Sequence, residues 1–254
     1  IAMARLRGRP VLLWGQGLGP LQRPLSRRLV RLVLPVCRSA SWRDQASMDR
    51  ASRWAPRMPM QLAPDPVWGL PRQPWSGGLS IVVCWRPSPL LGLRGWSLLL
   101  NALSRLAEDL DAPVRWLAFH RHQDGELLDW LTDQGVVPPG LRSRSTTVIP
   151  SSLDTVFASV RNARLVIPMR LHALILARLA HCPMAALSYD PKVEAAAAMA
   201  GIPCSSLDAL PDEPTLLNQW RESMDSPADS DQIERIRAAA AHHGSHLRRY
   251  LPQR

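Results

Sequence analysis

The stretch from Arg164 to Gly201 constrains the fold more than any other part of the chain. Leu165 to Ile167 is a short, unbroken apolar run, the pattern of a strand buried on both faces. Leu171 to Leu179 is mostly apolar over a helical length. Pro183 marks a turn, and Met184 to Tyr189 is a second buried strand. Asp190 can cap the helix that follows, with Pro191 at its first position and Lys192 just inside. In open α/β sheets, ligands sit beyond the carboxyl ends of the strands. Arg170 with His172, and then Lys192, fall at two successive ends of this kind, each at the start of a helix whose N–H groups favour anions. Two cations and an imidazole suit a substrate with more than one negative group. Lys192 is also the one lysine among 31 basic residues, so a compact ammonium replaces arginine at this junction alone.

The same rhythm runs through the rest of the chain. Val11 to Trp14 predicts a strand, Pro24 to Val36 a helix, Ser39 to Trp42 a strand, Gln45 to Trp54 a helix, and Met58 to Ala63 a strand. In the helix, Leu25, Leu29, Leu32 and Val33 lie on one side and arginines on the other. Pro71, Pro74 and Gly77-Gly78 mark a linker. Strands at 79–85, 114–119 and 146–149 then alternate with helices at 96–110, 126–134 and 153–160. A helix at 216–224 and a last one at 233–251, interrupted at Gly244, complete the chain. Alternation at this spacing predicts parallel, doubly wound sheets. The expected division is 1–70 for a first domain, 71–78 for a linker, 79–225 for a second domain and 226–254 for a C-terminal helix.

Charge divides the chain unevenly. Residues 1–60 carry twelve arginines and two acids, whereas basic and acidic residues balance in the remainder. Such a segment seeks anionic partners: phosphorylated small molecules, anionic lipid or nucleic acid. No apolar run approaches the roughly 20 residues of a membrane span, and Val11 to Trp14 is too short for a signal peptide. Cys37, Cys84, Cys182 and Cys204 share no metal-binding spacing and suit buried thiols in a reducing compartment, so a cytoplasmic location is expected.

Other clusters are less specific. Gly15-Gln16-Gly17-Leu18-Gly19 is GxGxG, not the dinucleotide fingerprint, although close glycines let backbone approach a ligand. His120, His122 and Asp124 are weak metal candidates, and no metal site is assigned. His242, His243 and His246 are expected at the surface of a polar helix. Trp14, Trp42, Trp85 and Trp116 fall in predicted strands and suit core packing better than base stacking.

Taken in order, several motifs resemble the polysaccharide pyruvyl transferase family, in particular its bacterial cell-wall branch. They are Trp14-Gly15-Gln16-Gly17-Leu18-Gly19-Pro20-Leu21, Trp42-Arg43-Asp44 with Ser47, Ala63-Pro64-Asp65-Pro66, Met169-Arg170-Leu171-His172-Ala173, and Ser188-Tyr189-Asp190-Pro191-Lys192-Val193. The resemblance implies two Rossmann-like, doubly wound domains as in glycosyltransferase-B folds. It implies phosphoenolpyruvate as donor substrate, with no other cofactor, a sugar acceptor that is often lipid-linked, and a pyruvate ketal as product. The family's donor-binding cations fall on Arg43, Arg170 and Lys192, and its site histidine on His172, which is expected to be the acid. Further substrate-binding candidates are Gly15, Gly17, Gly19, Arg86, Ser188, Tyr189 and Asp190. The chain departs from the family in lacking the Gly-Asn-x-Gly-Asp loop before Val11 that supplies an acidic residue. The first domain is therefore expected to be incomplete. The general base stays unassigned, with Asp44 and Asp65 as substitutes.

Two other readings stay open. One is a nucleotide-sugar-dependent glycosyltransferase of the same fold. The other is a non-catalytic basic module. Nucleic acid is not the expected partner, and a peripheral membrane contact through residues 1–60 remains compatible with the charge.

Overall fold

A computed structural model describes residues 1–19, 21–226 and 228–251. The chain forms two compact units, Ile1–Leu70 with Glu234–Arg254, and Pro71–Ile233.

The first unit is built on a three-stranded parallel sheet of β1 (Leu12–Gln16), β2 (Ser39–Trp42) and β3 (Met60–Leu62), with β2 in the middle. All four residues of β2 are buried, as a central strand requires. Ala40 and Trp42 join Leu34, Cys37, Ala51, Ala55 and Met58 in one small core. The helix Gln45–Trp54 begins where Asp44 accepts a hydrogen bond from the Ser47 N–H at 2.7 Å. The helix Pro24–Val33 stops short of the expected Val36, because Pro35 turns the next residues into a 3-10 turn. It meets the core through Val30 and is followed by the buried Leu34. Leu25, Leu29 and Leu32 are exposed, since the stripe they form lies on another flank from Val30.

In the second unit, β4 (Ser80–Cys84), β5 (Val114–Leu117), β6 (Ser145–Val148) and β7 (Ala163–Pro168) form a parallel sheet in the order β6-β5-β4-β7. A parallel bridge between Val166 and Met184 leads from β7 to β8 (Ala186–Ser188), which pairs with β9 (Cys204–Ser206). The spatial order β6-β5-β4-β7-β8-β9 starts in the middle and reverses direction between β4 and β7, the doubly wound Rossmann arrangement. Ile81, Val83, Leu165 and Ile167 share one core with Leu99, Leu103 and Leu106 of the helix Leu93–Asp109 and with Trp220 of the helix Glu213–Met224. Val82 and Val166 are equally buried but lie outside that cluster, toward the layer of helices Leu153–Arg161 and Leu171–Leu179. Alternate residues of one strand thus serve two layers, which is why these strands read as unbroken apolar runs.

Two further differences from the sequence reading are local. The last helical stretch breaks at Ala241, between Ser230–Ala240 and His242–Tyr250, not at Gly244. Trp14 is exposed although it lies in β1, whereas Trp42, Trp85 and Trp116 are buried. β1 is an edge strand with a half-exposed pattern. The four cysteines are free, and all but the half-buried Cys204 are buried. Burial raises the Cys37 thiol, lifts Cys84 and Cys182 far above their ordinary range and brings Cys204 to about 11, so all four are protonated near neutrality. No helix among the described residues is long and apolar enough to cross a membrane.

Candidate functional site

In open α/β sheets ligands are received beyond the carboxyl ends of the strands at the point of reversal, which here lies between β4 and β7. Chain continuity puts Arg86 just past β4 and Arg170 just past β7, where the Met169 N–H donates to the Cys84 carbonyl at 3.1 Å. Arg170 is the N-cap residue of the helix Leu171–Leu179, in an extended conformation, with no side-chain cap hydrogen bond among the described residues. A helix N-terminus of this kind carries the positive end of the helix dipole, which favours an anion. His172 follows on this first turn, with an exposed side chain.

The partner of Arg170 comes from beyond β5. The Arg170 Nε donates to Asp124 Oδ2 at 2.7 Å, and Nη2 donates to Asp124 Oδ1, a two-pronged fork on one carboxylate. Nη2 also reaches Gln123 Oε1 at 3.4 Å, while Nη1 has no hydrogen bond among the described residues. Asp124 is only 4% exposed and also accepts the His120 N–H at 2.9 Å. A carboxylate this deep is tolerable because the arginine neutralises it. In return it fixes the guanidinium plane and leaves one edge for a second anion. By sequence Asp124 is only a weak metal candidate with His120 and His122. The strand ends at Leu117, so His122 lies on the helical turn Arg121–Asp124 instead of beside His120 on one strand face.

The other candidates in this unit fall into two groups. Arg86 stacks over the Tyr189 ring at 4.7 Å from its centroid and donates to the Tyr189 hydroxyl at 3.1 Å, joining the ends of β4 and β8. Ser188, Asp190 and Lys192 form one turn. The Ser188 hydroxyl is fully buried, accepting the Asp190 N–H at 3.2 Å and donating to the Asp190 carbonyl at 2.9 Å. Asp190 Oδ1 accepts the Lys192 N–H at 2.9 Å, the expected cap of the helix Pro191–Met199. Ser188 and Asp190 therefore shape the turn that presents the half-buried Lys192.

In the first unit, the glycine loop after β1 is pinned along its length. The Gly15 N–H donates to Ser41 Oγ at 2.9 Å, the Leu18 N–H to Ser47 Oγ at 2.6 Å, and Arg50 Nη1 to the Leu18 carbonyl at 2.6 Å. Gly15 has φ +59°, and a Cβ there would stand 2.3 Å from Pro66 Cγ. Arg43 lies against the loop, its Nε 3.1 Å from where a Gly17 Cβ would be, and its Nη1 donates to Asp65 Oδ2 at 2.8 Å. Asp65 is buried and also accepts the Val67 N–H at 3.0 Å. Beside them, Arg43 Nε and Asp44 Oδ2 are buried atoms with no hydrogen-bond partner among the described residues, one a donor and one an acceptor, both next to Gly17.

His243 and His246 correct the expectation of a surface cluster. His243 is fully buried, and its Nε2 lies 2.8 Å from the Pro64 carbonyl, so Nε2 carries the proton and donates. Its ring also meets Trp14 edge to face at 6.2 Å. Burial holds both imidazoles below their ordinary pKa. The bond to Pro64 partly offsets this at His243, and the Arg249 charge adds to it at His246. A polar-looking helix hid this contact, because its burial comes from a sheet far away in sequence.

Parallel Rossmann-like sheets with cations at the strand ends define the class: a glycosyltransferase-B-like α/β protein. Solved structures support the fold. Anabaena HepE in complex with UDP has a TM-score of 0.59 at 13% identity, covering 98% of this chain and 73% of that one. Methanocaldococcus jannaschii UDP-GlcNAc 2-epimerase in complex with UDP-GlcNAc and UDP has 0.59 at 10% identity, covering 95% and 71%. Rickettsia bellii UDP-N-acetylglucosamine 2-epimerase has 0.60 at 11% identity, covering 98% and 68%. The curated proteins include no match. The family model for polysaccharide pyruvyl transferase matches residues 1–191, and the chain belongs to that family. It is accordingly a transferase of polysaccharide modification.

Proposed function

We propose that the protein transfers the pyruvyl group of phosphoenolpyruvate to a sugar of a cell-surface polysaccharide or its precursor. One observation carries the reading: Arg170 is locked by Asp124 at the Rossmann reversal, beside an uncapped helix start. Phosphoenolpyruvate carries a carboxylate and a phosphate, and an oriented arginine fork with helix N–H groups suits either. Lys192 and Arg86 add positive charge at the neighbouring strand ends.

In the reaction, the enol carbon C3 takes a proton and becomes the methyl group, and a sugar hydroxyl oxygen bonds to C2. The C2–O bond to phosphate breaks, and a second hydroxyl bonds to C2 to close the ketal. Of the two hydroxyl protons displaced, one balances the methyl group and the other leaves with phosphate. His172 is the acid for C3. Of the two substitute bases, Asp65 is tied to Arg43 and Val67, which leaves Asp44 as the candidate. Asp44→Asn keeps an N-cap of equal quality, so it should leave the melting temperature unchanged and lower turnover about 100-fold.

The purified protein, incubated with phosphoenolpyruvate and a panel of sugar acceptors, should release phosphate and yield a sugar bearing a pyruvate ketal by mass spectrometry. Nucleotide release from a UDP-sugar with no ketal formed would replace this reading with a glycosyltransferase.

A further inference from the structure

Next to the Arg170 fork, the second unit has a hollow of about 340 Å³ lined by Pro87, His122, Gln123, Glu126, Leu127 and Trp130. Pro87 follows Arg86 beyond β4, and the other residues follow β5, so the hollow opens on the same carboxyl edge of the sheet as Arg170. Gln123 joins the two, since its Oε1 faces Arg170 Nη2 at 3.4 Å. The volume is at the small end for ligand sites. Trp130 is 45% exposed, a large indole left facing solvent on a helix whose neighbours Leu127, Leu128 and Leu131 are all buried.

From this geometry we infer that the hollow is a sugar-ring subsite, in which one face of a neutral pyranose lies on Trp130 and its hydroxyls meet Gln123, Glu126 and His122. An indole and a proline offer apolar surface to ring C–H groups, and the amide, carboxylate and imidazole offer both donors and acceptors. His122 Nδ1 and Glu126 Oε1 stand 3.9 Å apart, at a distance that two vicinal hydroxyls can bridge. Charge decides against an anionic occupant: the lining contains the Glu126 carboxylate and no lysine or arginine. Phosphate and carboxylate groups go to Arg170, and a neutral polyol goes to this hollow. As an acceptor subsite the assignment rests on the pyruvyl-transfer reading, whereas sugar binding itself does not.

Saturation-transfer NMR on the whole protein, with methyl β-glucoside, methyl β-galactoside and N-acetylglucosamine as probes, tests it. At least one probe should bind, Trp130→Ala should weaken it about tenfold, and uridine should not displace it. Because Trp130 is half exposed, the variant should fold normally, and Trp130→Phe should recover part of the binding. Equal binding by wild type and Trp130→Ala, no binding by any probe, or displacement by uridine overturns the subsite. Calorimetry with phosphoenolpyruvate, run in parallel, separates the two claims. Donor binding without sugar binding removes the subsite and keeps the proposed function. Sugar binding on Trp130 without donor binding does the reverse.

Discussion

Arg170 shows how a buried carboxylate orients one side chain. Its positive charge is balanced by a carboxylate that is nearly sealed from water, and the two-pronged contact sets the plane of the fork. Replacing Asp124 by Asn leaves a buried guanidinium edge without its counter-charge. Unfolding should become easier by about 3 kcal/mol, read as a drop of roughly 6–12 °C in melting temperature. Arg170→Lys removes the fork but keeps the charge. It should leave the melting temperature within a few degrees and lower kcat/KM for the proposed donor, phosphoenolpyruvate, about 100-fold. Gly15 is the second residue with little tolerance. Its positive φ and the nearby Pro66 ring both oppose a side chain, so Gly15→Ala should cost about 2 kcal/mol in denaturant unfolding.

At the scale of elements, the helix His242–Tyr250 matters more than its polar composition suggests. His243 and His246 enter the first unit as neutral imidazoles, and His243 donates to the carbonyl that precedes Asp65. Their native pKa values are lowered, so near the ordinary imidazole value of about 6.5 the unfolded chain takes up protons before the folded one does. The stability they confer is complete above that pH and is lost as pH falls through the lowered native values. Thermal melts from pH 7.5 to 5 should therefore decline by several degrees. His243→Gln, which can still donate to Pro64, should decline less. An equal slope for wild type and variant would remove His243 as the source.

For the whole molecule, the division into two units predicts unequal independence. Residues 71–233 contain a six-stranded order with residues buried on both faces of the sheet. Expressed alone, they should melt cooperatively by circular dichroism. Residues 1–70 have a three-stranded sheet whose buried histidine contacts come from residues 242–250. Without that segment, residues 1–70 should be cut readily by protease under conditions that spare 71–233.

The βα alternation was legible from residues alone, because strands buried on both faces must be apolar throughout and helices between them must not be. Ser39–Trp42 and Gln45–Trp54 form over the expected residues, and Asp190 caps its helix as its position implied. Arg43, Arg170, His172 and Lys192 stand out in the sequence as candidates for the same local reason: they follow strand ends. Their partners do not. Asp124 stands 46 positions from Arg170, and Pro64 stands 179 from His243. No local periodicity links residues so far apart, and a carboxylate or imidazole on a polar stretch looks solvated until a distant element covers it. Sequence determined which residues carry charge and where the chain turns. Tertiary structure alone decided which charges are neutralised, which stay available, and which polar groups are buried, because desolvation is a property of neighbours in space.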